Sequence, residues 1–206
     1  MGIDMNARGL VAVVDDDAMV RKSVCMLIES LGFACKSYAL GREFLDDPHG
    51  EKFDCLVIDV RMPGLSGLEV QRILAERGSL TPVVFITGHG DVLLAVEAMK
   101  RGALDFLLKP FKHQDLLEKV QQAIARGRRA RSEAAKRGSI AALLATLSPR
   151  ERQVLQEVVS GKLSRVIATE LGIRPKTVED HRASIMSKMH AGSVAELVQM
   201  VGVLSK

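Results

Sequence analysis

Residues 10–17 read L-V-A-V-V-D-D-D, and residues 55–59 read C-L-V-I-D. Each is a short, continuous apolar run that ends in carboxylates. Two further runs have the same form: V-V-F-I (83–86) stops at Thr87, and F-L-L (106–108) stops at Lys109. Continuous apolar runs of this length suit strands buried on both faces, as in a parallel sheet. Parallel strands put their carboxyl ends on one edge, where open α/β folds bind ligands. Asp15, Asp16, Asp59, Thr87 and Lys109 are therefore expected to converge in one shallow site. Crowded carboxylates raise each other's pKa unless a cation neutralises them. Oxygen ligands with few dedicated protein groups suit Mg²⁺ (or Mn²⁺), an ion that keeps several waters and shares its shell with phosphate. That is chemistry for accepting a phosphoryl group.

Working outward, strands are expected at 10–14, 33–38, 55–60, 82–87 and 105–108. Helices are expected at 18–31, 41–46, 66–77, 91–101 and 112–125. The alternation predicts an α/β fold with a doubly wound, five-stranded parallel sheet. Ser66 and Glu69 have capping-box spacing. Gly32, Gly78 and Gly102 stand where helices want a left-handed terminal residue. Asp17 reads as a helix N-cap rather than a ligand.

Residues 126–138, R-G-R-R-A-R-S-E-A-A-K-R-G, carry six Arg/Lys and one Glu. They read as a linker, helical in part by extension of the preceding helix, with direct phosphate contact as the alternative to a solvated tether. From 148 the pattern is all helical. Ser148-Pro149-Arg150-Glu151 opens a helix to about Ser160. Further helices start near Ser164, Pro175 and Ser193. The second and third are joined by Gly172-Ile173-Arg174, a turn of helix-turn-helix type, with the small Ala168 where they must approach. The domain limits are thus 8–125 for the α/β unit, 126–142 for the linker and 143–206 for a small all-α four-helix unit.

The 206 residues are 47% hydrophobic and 26% charged, which suits two soluble domains. One Tyr, six Phe and no Trp argue against aromatic stacking as the main binding device. Residues 1–125 carry 14 Lys/Arg against 18 Asp/Glu, and residues 126–206 carry 15 against 7. An acidic domain joined to a basic one suggests nucleic acid at one end only. Cys25, Cys35 and Cys55 lack any C-x-x-C spacing and read as buried small hydrophobes in a reducing cytoplasm. There is no signal-peptide core and no apolar run long enough for a membrane helix, so a cytoplasmic, membrane-free protein is expected.

V-V-D-D-D (13–17), V-I-D-V-R-M-P-G (57–64), F-I-T-G-H-G (85–90) and L-L-K-P-F (107–111) resemble the receiver domain of bacterial two-component response regulators, a flavodoxin-like fold. L-S-P-R-E-R-Q-V-L (147–155) and T-V-E-D-H-R-A-S-I-M-S-K-M (177–189) resemble the NarL/FixJ/LuxR-type DNA-binding domain. The stretch 89–103 resembles the FixJ branch most. The resemblance implies that Asp59 accepts the phosphoryl group of a phosphohistidine on a cognate histidine kinase. It implies a metal site of Asp15, Asp16, Asp59 and the Arg61 backbone carbonyl. It gives Lys109 and Thr87 to the phosphoryl oxygens, a cis peptide to Lys109-Pro110, and the switch aromatic to Phe106. The Arg61 side chain and His89 border the site and are expected to modulate autodephosphorylation. Phe106, read alone, is also compatible with a plain core role.

The same resemblance sends the third C-terminal helix into the major groove. In that register Glu179, Asp180 and Ala183 face bases, while Arg165, Lys176, Thr177, Arg182 and Lys188 contact phosphates. Asp180 departs from the family, where a small apolar residue is commoner. His181 and His190 read as structural or solvent-facing. The fourth helix (194–204) is apolar enough either to pack on its own domain or to support a homodimer on phosphorylation. RNA polymerase is a further partner the resemblance admits. The protein is then no enzyme beyond assisting its own phosphorylation and dephosphorylation. Two alternatives stand beside this. A haloacid-dehalogenase-type phosphatase would need an Asp two positions after Asp59, where Arg61 stands. A phosphorylation-independent DNA-binding regulator would carry a vestigial receiver.

Overall fold

The computed structural model describes residues 8–48, 53–88, 102–103 and 105–204. The helix expected at 91–101 and His89 lie outside the described residues. Five parallel strands, β1 (Leu10–Val14), β2 (Ala34–Tyr38), β3 (Cys55–Asp59), β4 (Val83–Thr87) and β5 (Asp105–Leu108), lie in the order β2-β1-β3-β4-β5. The order reverses beside β1, and such a switch point opens a crevice at the carboxyl edge.

Strands β1 and β3 are apolar at nearly every position because both faces are covered. Alternate side chains go to opposite faces. Leu56 and Ile58 join Phe44, Phe53 and Phe85 on one face. Cys55 and Val57 join Val11, Val13, Ile86, Leu116 and Val120 on the other. Val14 is in register with Ile58, so the next residues along, Asp15 and Asp59, emerge side by side.

Helix α1 (Ala18–Ser30) starts at Asp17, whose carboxylate accepts from the Met19 N–H at 2.7 Å and the Val20 N–H at 3.3 Å. After the short α2 (Gly41–Leu45), α3 (Gly67–Glu76) starts with the Ser66–Glu69 capping box. Gly67 is required by close approach. A Cβ there would be driven against the Asp59 carbonyl oxygen and would stand 3.0 Å from Phe85 Cε1.

The last helix of the α/β unit departs from expectation. Helix α4 runs from His113 to Ala145, 33 residues, through the whole basic stretch. The chain divides into two compact units between Arg131 and Ser132, inside this helix. Residues 126–131 pack with the first unit for two reasons. Gly127 lets the helix pass Pro82, whose Cδ would lie 2.8 Å from an added Cβ. Arg131 pairs with the Asp54 carboxylate, which also accepts from the Leu10 N–H at 3.1 Å. Arg128 lies 3.6 Å from the same carboxylate. No spacing rule links residues 54 and 131, so the sequence shows only a basic run.

A second departure concerns the cysteines. Cys25 of α1 and Cys35 of β2 are joined by a disulfide, with Cα atoms 5.5 Å apart, while Cys55 is buried and free. Helix α1 packs directly along β2 and brings the two together, a proximity that no C-x-x-C spacing announces.

The second unit contains α5 (Pro149–Val159), α6 (Ser164–Leu171), α7 (Pro175–Lys188) and α8 (Val194–Leu204). Its core joins Val154, Leu155, Ile167, Val178, Ile185, Met189 and Leu197 to Ile140 and Leu147. Gly172, at φ 62° and ψ 36°, turns α6 into α7. That left-handed conformation favours glycine. Ala168, 3% exposed, packs in this core. No described helix is long and apolar enough to cross a membrane.

The Gly67 contact yields a stability prediction. Gly67→Ala must push α3 off the end of β3 against backbone, so it destabilises the first unit by about 2 kcal/mol or more. Urea unfolding of wild type and variant measures the difference.

Candidate phosphoacceptor site and nucleic-acid interface

Four strand ends build the site. Asp15, fully buried, follows β1; Asp59, 6% exposed, ends β3; Thr87, 1% exposed, ends β4. Lys109 follows β5, and its backbone N–H donates to the Thr87 carbonyl at 2.7 Å. That bond places the Lys109 stem at the edge. Its ammonium lies 2.6 Å from Asp15 Oδ2 and 2.9 Å from Asp59 Oδ1. Lys109-Pro110 is a cis peptide.

Each carboxylate has a further donor. Asp59 Oδ2 accepts from the Arg61 N–H at 2.9 Å, and Asp15 Oδ1 accepts from the Asp17 N–H at 2.9 Å. Arg21, which sequence reasoning missed, donates from Nη1 to the Asp15 carbonyl at 2.6 Å and so braces the β1–α1 turn. No sequence signal marks it, since it is one charged residue on a helix. Asp16 is exposed next to this cluster. The structure thus brings Asp15, Asp59 and Lys109 into contact, with Thr87 buried on the neighbouring strand and Asp16 at the rim. Among the described residues no group of three or more His, Cys, Asp or Glu side chains is placed to hold a metal ion. Phe106 is half-buried against the core and in register with Phe85. Arg61 is exposed.

Burial raises the Asp59 carboxyl pKa above its ordinary 3.8, and the Lys109 and Arg61 hydrogen bonds only partly offset this. Burial alone would lower the Lys109 pKa, but its bonds to Asp15 and Asp59 outweigh that and raise it above 10.5. The ammonium is therefore the counter-ion that keeps two buried carboxylates tolerable.

In the second unit, Lys176, Glu179, Asp180, Ala183 and Ser187 form an exposed stripe along α7. The spacing of three and four residues puts them on one helix face. Lys176 Nζ lies 3.0 Å from Asp180 Oδ1, so this departure from the family pattern is paired within the stripe. Thr177 and Arg182 are half-buried, and Arg165 is exposed on α6. Lys188 differs from the rest, because its ammonium lies 2.9 and 2.7 Å from the two oxygens of the buried Glu151. Lys188, Ser184 and the Ser148 N–H hold the Glu151 carboxyl down at about pKa 2. On α8, Leu197 is buried, whereas Val194, Val198 and Leu204 are 36–40% exposed.

Two units in this order define a response regulator, a receiver followed by a helix-turn-helix. Residues 11–121 match the response regulator receiver domain, and residues 145–201 match the bacterial regulatory proteins of the luxR family. The transcriptional regulatory protein FixJ of Bradyrhizobium diazoefficiens is 44% identical over 196 residues, 95% of this chain and 96% of that protein. FixJ of Azorhizobium caulinodans is 46% identical over 92% of this chain and 90% of that protein. Among solved structures, the response regulator StyR superposes with a TM-score of 0.84 at 41% identity, covering 94% of this chain and 98% of that one. Full-length FixJ from B. japonicum gives 0.61 at 43% identity, covering 97% and 98%. The chain belongs to the two-component response regulators that regulate transcription.

The geometry makes two predictions. Lys109→Met leaves two buried carboxylates without their cation and destabilises the receiver by about 3 kcal/mol in chelator. Millimolar Mg²⁺ shrinks that deficit in a thermal melt, because a second cation relieves the same repulsion. For Asp59, the raised folded pKa means that its ionisation opposes folding. The penalty is absent below pH 3.8, grows as pH rises through the folded value, and is full above it. Asp59→Asn therefore melts a few degrees above wild type at neutral pH in chelator, and the gap closes as pH falls toward 3.8.

Proposed function

We propose that the protein is switched by phosphorylation of Asp59, with the phosphoryl group supplied by a phosphohistidine on a cognate histidine kinase. The observation that carries this reading is the Lys109 ammonium spanning Asp15 and Asp59 at the sheet edge. An Asp59 oxygen attacks phosphorus in line, the P–N bond breaks, and its electron pair leaves with the imidazole. Such a reaction asks the protein for alignment and charge stabilisation. Lys109 turns toward the phosphoryl oxygens as they arrive, and the Thr87 hydroxyl donates to one of them. Phe106 moves inward behind Thr87. His89 and the Arg61 side chain govern how water reaches the acyl phosphate.

The donor set fits Mg²⁺: carboxylates of Asp15, Asp16 and Asp59 with the Arg61 backbone carbonyl, all oxygen, and Asp16 open to solvent for retained waters. The bound ion supplies positive charge against the phosphoryl oxygens. All of Asp15, Asp16, Asp59, Thr87 and Lys109 are present, so nothing favours a vestigial receiver.

On this reading the receiver extends through Arg131, and α7 enters the major groove of promoter DNA. Glu179, Asp180 and Ala183 face bases, while Arg165, Lys176, Thr177 and Arg182 approach phosphates. The exposed valines and Leu204 of α8 support a homodimer across two half-sites. RNA polymerase is a downstream partner of a regulator of this kind.

Acetyl phosphate with Mg²⁺ should add the mass of one phosphoryl group to wild type and none to Asp59→Asn, by intact-mass spectrometry. Unmodified wild type, or an equally modified Asp59→Asn, rejects the assignment.

A further inference from the structure

The first turn of α5 reaches both helices of the helix-turn-helix. Arg150 Nη2 donates to the Leu171 carbonyl at 2.5 Å, at the last residue of α6 before the Gly172 turn. Glu151, 5% exposed, begins as an ordinary capping-box glutamate, with Oε2 accepting from the Ser148 N–H at 2.7 Å. Its carboxylate does not stop there. Oε1 accepts from Ser184 Oγ at 2.6 Å, and the Lys188 ammonium reaches both oxygens. Ser184 and Lys188 are four residues apart on α7 and share one helix edge. That edge is half-buried and adjoins the exposed Lys176–Asp180–Ala183–Ser187 stripe without belonging to it.

We infer that Ser184 and Lys188 are positioning residues, clasped by Glu151, that fix the register and roll of α7, and that Lys188 makes no phosphate contact. The inference rests on the reading of α7 as the groove-entering helix. Three physical points support it. A buried carboxylate needs its charge met, and Lys188 is the cation that meets it. Charge-assisted bonds to two atoms on one helix edge resist both sliding and rotation of that helix. Arg150 fixes the end of α6 from the neighbouring position, so one helical turn sets both sides of the Gly172 corner. Small displacements of a reading helix cost sequence discrimination first, because base contacts are more directional than phosphate contacts.

The test uses the full-length protein, phosphorylated with acetyl phosphate, and two duplexes: one selected from a random pool by the wild-type protein, the other of scrambled sequence. Affinities are measured across a salt series for Lys188→Met, Glu151→Gln, Ser184→Ala and the double variant Glu151→Gln/Lys188→Met. The clasp predicts that Lys188→Met lowers the ratio of selected to scrambled binding by about ten-fold, the effect of losing bonds to a charged group. The salt slope stays at the wild-type value. Glu151→Gln also lowers the ratio, although removing a negative charge should by itself tighten binding to DNA. The double variant loses no more than the worse single one. A phosphate-contacting Lys188 gives the opposite pattern: a slope smaller in magnitude by about 0.9, equal weakening on both duplexes, and additive losses. That pattern, or a Glu151→Gln variant that binds more tightly, overturns the inference. Should Lys188→Met fail to fold, Ser184→Ala decides alone: an unchanged ratio overturns the clasp, and a several-fold fall supports it. If Lys176→Ala and Asp180→Ala on the outward stripe leave selection untouched, the reading of α7 fails, and the clasp with it.

Discussion

One ammonium group organises the receiver. Lys109 lies between two carboxylates that the sheet buries side by side, and its ammonium reaches both of them. The arrangement is stable only while that charge is present. It is also poised, because a third anionic group arriving at Asp59 would compete for the same ammonium. A charged triad held by strand register, with the ammonium partly open to solvent, can store a response to one phosphoryl group. Neutral contacts could not do so, because they have no differential affinity for added charge.

The scaffold serves that triad. Strands β1 and β3 are buried on both faces, so their ends cannot drift. Gly67 allows α3 to begin directly beneath Asp59, and the Lys109 N–H to Thr87 carbonyl bond ties β5 to β4 at the same level. Far from the site, Asp54 lies just before β3 and holds Arg131 of α4. The strand that ends in Asp59 thus begins beside the anchor of the long helix. In the second unit the same economy recurs, with Glu151 serving as a local cap and as a long-range partner at once.

Much of this was legible in the linear order of residues. The apolar runs ending in Asp, Thr and Lys announced parallel strands and the edge that gathers them, since burial on two faces leaves a continuous hydrophobic signature. The helix starts at Asp17, Ser66 and Ser148 and the turn at Gly172 were readable because caps and left-handed turns are local, decided by residues within four positions. The five residues of the site could be listed for the same reason: each ends, or closely follows, one of four strands.

What the chain folded in space decided is what connects distant positions. Whether Lys109 faces one carboxylate or two depends on the register of four strands, β1, β3, β4 and β5. The Cys25–Cys35 disulfide depends on α1 lying along β2, and the end of the first unit on Arg131 finding Asp54 rather than solvent. Lys188 reads in sequence as one more cation on a basic helix, and only the buried Glu151, 37 residues earlier, turns it inward. Local propensity and periodicity act over a few residues and are written in the sequence. Pairing of charges is set by distance in three dimensions, which only the packed structure fixes.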